Sequence, residues 1–486
     1  MGGLNCLPSC ESVNLAVMSN LPNEWYLRIE AVNLDHSVYD TNDISTIRAG
    51  SSLLLDAVYK LTESIGLLEK ISVGASTGLY RIKALESEIP GIEQAVRKFL
   101  QSEPYAHFAT FVVATTGKEP QESLANLNKQ LIAKCAWQQY QLPSFSFPAP
   151  HDTPEECDFG GVRPWVRIIP GKEKKASQSV YTRREEGKNL RKKIYEQCFD
   201  GTPPDLEFTD DLEELAKGGD IALIHFDGNR FGNIRDYCFS EKDFGDFDKK
   251  VQGIQKKAVC QIVEHAPKTE NRTRLETLLW GGDEIELVVP SSAVWNTLKL
   301  FFDSAASASF QTEAGNSFNL TYSAGVVFCR HNLPILQIRR YADQLCSIAK
   351  QQISGEPEKF SSHDNRFAYL NMSSFDLVAR DVESFIESYH QPAKVKDFTF
   401  NLDRLGSIHN AMLTITRSFP RNKIYEIVEK LQQGLPVDKE VKRALDMVDS
   451  SARSGLEEAT QVILDSRDER WLIIGDLWNL IGTQAL

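Results

Sequence analysis

Residues 278–290 read Leu-Leu-Trp-Gly-Gly-Asp-Glu-Ile-Glu-Leu-Val-Val-Pro. An apolar run enters Gly281-Gly282, two carboxylates follow, and a second apolar run leaves from Ile285 to Val289. Two glycines between β-rich runs predict a tight hairpin, because glycine takes positive φ without steric penalty. Asp283 and Glu284 then sit side by side on a rigid turn. Such a pair repels itself unless a cation neutralises it. A plain hairpin with an acidic turn would leave the same trace, so the flanking sequence has to decide.

Upstream, Ile221–Phe226 reads as a buried strand ending in Asp227, with Gly228 and a short loop after it. Two adjacent strands would bring Asp227 and the hairpin acids within reach of shared Mg²⁺, which prefers carboxylate and phosphate oxygens. Downstream, Leu320–Phe328 reads as another strand. Ile335–Lys350 then carries apolar residues at helical spacing and ends in a lysine.

Taken in order, Asp227, Gly281-Gly282-Asp283-Glu284, Ser323-Ala324-Gly325 and Tyr341-Ala342-Asp343 through Ala349-Lys350 resemble the GGDEF and CRISPR-polymerase palm superfamily. The Ser-Ala-Gly strand, the Pro334 before the next helix and the helical C-terminal region resemble the large polymerase–cyclase subunit of type III CRISPR effectors more than bacterial diguanylate cyclases. The likeness is good over residues 216–370 and rests mainly on domain order elsewhere.

The resemblance implies a Mg²⁺- or Mn²⁺-dependent nucleotidyltransferase that converts ATP to a cyclic oligonucleotide second messenger in antiviral defence. It implies two metals that clamp the attacking hydroxyl and the leaving pyrophosphate. Asp227 and Asp283 are the metal ligands in this reading, with the Gly228 carbonyl beside them. Glu284 completes the second metal site or accepts the hydroxyl proton. Gly281 and Gly282 let substrate phosphates approach the backbone, and Lys350 binds the triphosphate. RNA reached through effector-complex subunits, CRISPR complex partners or a homodimer are the implied partners. A diguanylate or mononucleotide cyclase working as a homodimer, and a nucleotide-binding scaffold without turnover, are the competing readings. The chain departs from the relatives in three places. Glu284 stands where the CRISPR subunits have aspartate, and Ile285 where GGDEF enzymes have phenylalanine. Arg235 stands where diguanylate cyclases place a guanine-reading asparagine, which argues against GTP.

The same order of elements is expected earlier in the chain. Trp25–Leu34 is a strand followed by Asp35, and Leu53, Leu54, Ala57, Val58 and Leu61 mark a helix. Ile71–Ile82 is a hairpin with Gly74 and Gly78, Phe108–Ala114 a strand, and Glu122–Lys134 a helix ending in Ala133-Lys134. Asp35 to Lys134 spans 99 positions and Asp227 to Lys350 spans 123. This reads as an internal duplication. The first hairpin, Gly74-Ala75-Ser76-Thr77-Gly78, has no carboxylate, so the first copy is expected to be catalytically dead.

The predicted fold is therefore α+β: two tandem ferredoxin-like palm domains, the first degenerate and the second active, then a helical domain. The expected boundaries are 1–145 for the degenerate palm, 146–215 for a basic connector, 216–372 for the catalytic palm and 373–486 for the helices. Lys172–Lys193 carries nine Lys or Arg against three Glu. It reads as a solvated charged helix or as a contact for RNA or phosphates, with Tyr181, Arg183 and Arg184 to be tested first.

A chain of 486 residues with net charge −13 is too acidic to coat nucleic acid over its whole surface. Nine cysteines without a CxxC pair point to reduced thiols and a cytoplasmic setting. Cys6 and Cys10 lack a second pair for a structural zinc site. No apolar run approaches the ~20 residues of a membrane span, and the first residues lack the pattern of a secretory leader.

Overall fold

The computed structural model describes residues 24–119, 121–141, 155–160, 163–171, 173–196, 199, 206–373, 380–464 and 467–481. Cys6 and Cys10 lie outside them, as do the side chains of 188–194 in the basic stretch.

The first sheet grows from β1 (Trp25–Val32), whose Leu27 and Ile29 are buried. Helix α1 (Ile44–Ser64) follows, started by the Asp43 side chain accepting from the Thr46 amide. Then come β2 (Leu68–Val73), β3 (Thr77–Ile82), α2 (Ile89–Leu100), β4 (Thr110–Gly117) and α3 (Leu124–Gln141). The strand order is β2-β3-β1-β4 and every pairing is antiparallel. This is a βαββαβ arrangement followed by α3, and helix α2 between the hairpin and β4 is an element that the sequence pattern does not include.

A small ribbon, β5 (Arg167–Ile169) and β6 (Lys174–Ala176), leads into α4 (Gln178–Glu196). Helix α4 lies against α1, where a Cβ on Gly187 would sit 2.1 Å from the Ala49 Cβ. Glu185 and Glu186 face solvent, as a charged helix requires. Arg183 and Arg184 do not. Arg183 is 0% exposed and binds Asp40 Oδ1 at 2.7 Å and the Val38 carbonyl at 3.1 Å. Arg184 pairs with Asp43. The expectation that these two arginines meet RNA or phosphates is corrected: they pin α4 to the loop after β1.

The second sheet begins after α5 (Leu212–Ala216) with β7 (Ile221–Gly228), buried almost end to end. The short α6 (Phe231–Arg235) and the long α7 (Glu241–His265) follow. A two-residue pair, β8 (Lys268–Thr269) and β9 (Arg272–Thr273), precedes the hairpin strands β10 (Glu276–Gly281) and β11 (Glu284–Pro290). Helix α8 (Val294–Ala306), a ribbon of β12 (Ser309–Gln311) and β13 (Ser317–Asn319), β14 (Tyr322–Cys329) and α9 (Ile335–Gln351) complete the repeat. The order β10-β11-β7-β14 reproduces β2-β3-β1-β4.

β15 (Arg366–Asn371) extends this sheet, parallel to β14. The helix α10 (Val382–Tyr389) comes next, and then β16 (Thr399–Asn401), which pairs with β15. The C-terminal stretch is thus not entirely helical, because β16 returns to the sheet and pairs along β15. Helices α11 (Leu402–Ser418), α12 (Arg421–Gln432), α13 (Asp438–Asp446), α14 (Ser450–Ile463) and α15 (Arg470–Leu477) pack beyond it. Trp471, Ile473, Ile474 and Leu477 are buried among them. No helix among the described residues is long and apolar enough to cross a membrane.

The two sheets share one continuous apolar core. Polar bonds fix their relative placement. Arg48 on α1 binds Glu276 on β10 at 2.5 Å, both buried. The Val73 amide donates to Asp248 Oδ2 at 2.9 Å, and Tyr26 donates to Glu241 at 2.8 Å.

Candidate active site

The hairpin turn is made by Gly282 and Asp283, with Gly281 paired to Glu284. Gly282 has φ +63°, the conformation that favours glycine. Glu284 opens β11, and Ile285 pairs with Phe226 of β7. One step along the antiparallel register, Glu284 stands beside Asp227. On the other side of β7, Asp227 pairs with Ser323. Asp227, Asp283 and Glu284 therefore gather at one end of the sheet, as the sequence predicts.

Lys350 reaches this cluster from the last turn of α9 and pairs with Asp227. Helix α9 is held close because Gly325 has no side chain: a Cβ there would lie 1.8 Å from the Ala342 carbonyl oxygen. The Ser-Ala-Gly motif thus reads as a close-packing device that sets the height of Lys350. Gly228 is tight as well, since a Cβ would enter the Phe231 ring at 2.4 Å. Phe231 is buried core, edge-on to Phe247 and Tyr322.

Charge at this end is out of balance. Burial, then repulsion from Asp283, raises the Asp227 carboxyl, while Lys350 pulls it back. Burial pushes Glu284 up to about 7, and Asp227, Asp283 and Glu286 add to it, with His225 opposing. Three carboxylates held together in this way fit a divalent cation bound by hard oxygens. Asp227, Asp283 and Glu284 would hold it.

Behind the cluster lies a set the sequence reading missed. His225 is 2% exposed and Glu286 0%. His225 Nδ1 lies 3.1 Å from Glu286 Oε1, and Arg339 Nε 2.7 Å from the same oxygen. Arg339 also stacks on Tyr39, 3.7 Å from the ring centre. Burial opposes charge on His225, but the Glu286 hydrogen bond and charge outweigh it and raise its pKa. The alternation His225/Asp227 and Glu284/Glu286, two apart on neighbouring strands, was the available signal.

The first sheet shows what the same position becomes without a site. Asp35 is not its strand-end acid: it sits past β1 in a short 3₁₀ turn. Matching the hairpin registers, Ile29 with Gly78 and Phe226 with Ile285, puts Glu30 in the place of Asp227. Glu30 is bound by Arg28 at 2.5 Å, and Lys134 donates to the Thr115 carbonyl at 2.9 Å rather than to an acid. The two hairpins meet: a Cβ on Gly281 would sit 2.4 Å from the Ala75 Cβ. Beside this contact a cavity of about 90 Å³ opens between α1, α7 and β10, lined in part by Ser51, Tyr59, Gln252, Lys256 and Trp280. Arg235 faces Asp248 at 3.3 Å and the Phe247 ring at 5.4 Å.

No family model matches the chain, and no curated protein matches it by sequence. Solved structures do. A Csm1-Csm4 cassette in complex with cA4 aligns with a TM-score of 0.55 at 12% identity, over 95% of this chain and 70% of that one. Csm1 in T. onnurineus gives 0.53 at 12% identity with the same coverage. A Csm1-Csm4 subcomplex in the type III-A CRISPR-Csm interference complex gives 0.52, again at 12% and the same coverage. Over 95% of its length, this chain has the fold of the Csm1 structures.

Proposed function

We propose that the chain is a Mg²⁺-dependent nucleotidyltransferase that joins ATP into a cyclic oligonucleotide, in a type III CRISPR-like defence role. The two sheets are read as a degenerate palm and an active palm. The observation that carries this reading is the gathering of Asp227, Asp283 and Glu284 at one sheet end with Lys350 against Asp227. That a structure of the same fold is a complex with cA4 supports the product class.

In this reading Asp227, Asp283 and the Gly228 carbonyl would hold the metal, and the chemistry Mg²⁺ would supply is neutralisation of phosphate charge. Lys350 exchanges Asp227 for the triphosphate. Glu284 would either complete the metal site or accept the proton of the attacking hydroxyl. Gly282, with no atom nearer than 3.7 Å to its missing Cβ, is the turn residue read as letting phosphate approach the backbone, whereas Gly281 is packed on Ala75. The cavity beside them is the seat assigned to a base. Arg235, turned to Asp248, offers no amide to read guanine, which argues against GTP, and the choice of ATP rests on the resemblance. The Ala75 hairpin covers Gly281 within one chain, so a facing wall is present without a homodimer.

The test is incubation with labelled ATP or GTP and Mg²⁺, with and without RNA and partner subunits. Pyrophosphate and cyclic products from ATP, absent in Asp283→Ala, support the proposal. Tight ATP binding without pyrophosphate release under every condition would favour the scaffold reading.

A further inference from the structure

Helix α9 and strand β7 place a second kind of donor set against the carboxylate cluster. His225, Asp227 and Cys346 offer one ligand atom each within 4.8 Å of one another. His225 and Cys346 are both 2% exposed. Asp343, one turn before Cys346 on α9, has Oδ1 4.0 Å from His225 Nε2. Its side chain is 62% exposed, which opens a path from solvent. Thiolate, imidazole and two carboxylates are a donor mixture for Zn²⁺, whereas Mg²⁺ takes oxygen.

A second observation points the same way. His225 Nδ1 is engaged by Glu286 Oε1, itself held by Arg339. A histidine tied to a carboxylate through one nitrogen presents the other to a metal in a fixed direction. Here that other nitrogen, Nε2, is the one that faces Asp343.

We propose that His225, Asp227, Asp343 and Cys346 form a site for a thiophilic divalent cation, Zn²⁺, distinct in chemistry from the oxygen site at the hairpin. Neutral imidazole, one thiolate and two carboxylates give three negative charges. Zn²⁺ and the neighbouring Lys350 cation balance them. On binding, the Cys346 thiol and His225 Nε2 each give up their proton to solvent, and the sulfur and that nitrogen bond to the metal. Asp227 belongs to both donor sets, so Zn²⁺ here withdraws it from nucleotide chemistry. That consequence rests on the function proposed above. The existence of the site does not.

The probe is Co²⁺, which replaces zinc and shows a thiolate charge-transfer band in the near ultraviolet. The full chain, freed of metal, is titrated with Co²⁺ and then with Zn²⁺. A saturable band displaced by Zn²⁺ is expected. It should disappear in Cys346→Ala, persist in Cys260→Ala, and need about tenfold more Co²⁺ in Asp343→Asn. Asp343 is exposed, so that variant keeps the test open if Cys346→Ala fails to fold. No thiolate band, or a band unchanged in Cys346→Ala or in Asp343→Asn, overturns the site. If the site stands and the chain turns over ATP, Cys346→Ala should keep basal turnover and lose its inhibition by Zn²⁺.

Discussion

Gly281 lies so close to Ala75 that a Cβ on it would sit 2.5 Å from the Ala75 Cα. The acidic hairpin of the second sheet is docked on the carboxylate-free hairpin of the first. Gly281→Ala must push the two turns apart, at a cost of about 1–3 kcal/mol for inserted bulk. A lower Tm and a loss of ATP turnover are expected together. Gly253→Ala, in open space within α7, should instead raise stability slightly. Thermal melts of the two variants make the comparison.

Arg183 is a structural residue. Its replacement by Met leaves Asp40 with only Arg163, at 3.4 Å, and removes the donor that Arg183 gives the Val38 carbonyl. Losing a fully buried guanidinium's hydrogen bonds, with Asp40 still paired to Arg163, costs about 1–3 kcal/mol. Chemical denaturation should show that loss. RNA affinity of whatever remains folded should not change. Full stability with weakened RNA binding would restore the surface-contact reading.

Glu284 gives the metal-free protein a pH dependence of known sign. Its folded pKa, about 7, lies above the ordinary carboxylate value of 4.5. Between those values the folded state holds more protons than the unfolded one. Stability from this group is therefore full below about pH 4.5 and is lost as pH rises through 7, by up to about 3 kcal/mol. Glu284→Gln should flatten that slope and raise the neutral-pH Tm of the metal-free chain. Apparent Mg²⁺ affinity of the parent should rise between pH 6 and 8, because the metal needs the ionised carboxylate. Melts and Mg²⁺ titrations at both ends of the range are the check.

Lys350→Met removes the cation facing Asp227. If Lys350 serves the triphosphate, kcat/KM for ATP should fall by roughly 10²-fold, the scale of losing one charged contact to a reacting group. A purely structural lysine would show as a lower Tm with kinetics intact.

The sequence carried much of this because strand ends and turns have strong local signatures. The Gly-Gly turn, the buried run into Asp227 and the helix ending at Lys350 each announce themselves within a dozen residues. What sequence did not carry was register. Asp35 was the nearest acid after β1, yet pairing puts Glu30 in that place, and only the ladder with Gly78 tells them apart. Charge alone also misled at Arg183 and Arg184, because a basic run does not say which members face inward. The His225–Glu286–Arg339 set joins β7, β11 and α9, and beyond the two-residue alternation with Asp227 and Glu284 no local pattern ties those positions. Likewise β16 is three residues between helices, too short to show a period of two.

The central claim is that the acids at 227, 283 and 284 converge around divalent metal. Mn²⁺ titration followed by electron paramagnetic resonance, with a non-hydrolysable ATP analogue present, tests it most directly. The parent should bind Mn²⁺ tightly, and Asp227→Ala and Asp283→Ala should each weaken that binding at least tenfold while the chain stays folded. Equal Mn²⁺ binding by all three proteins would contradict the account.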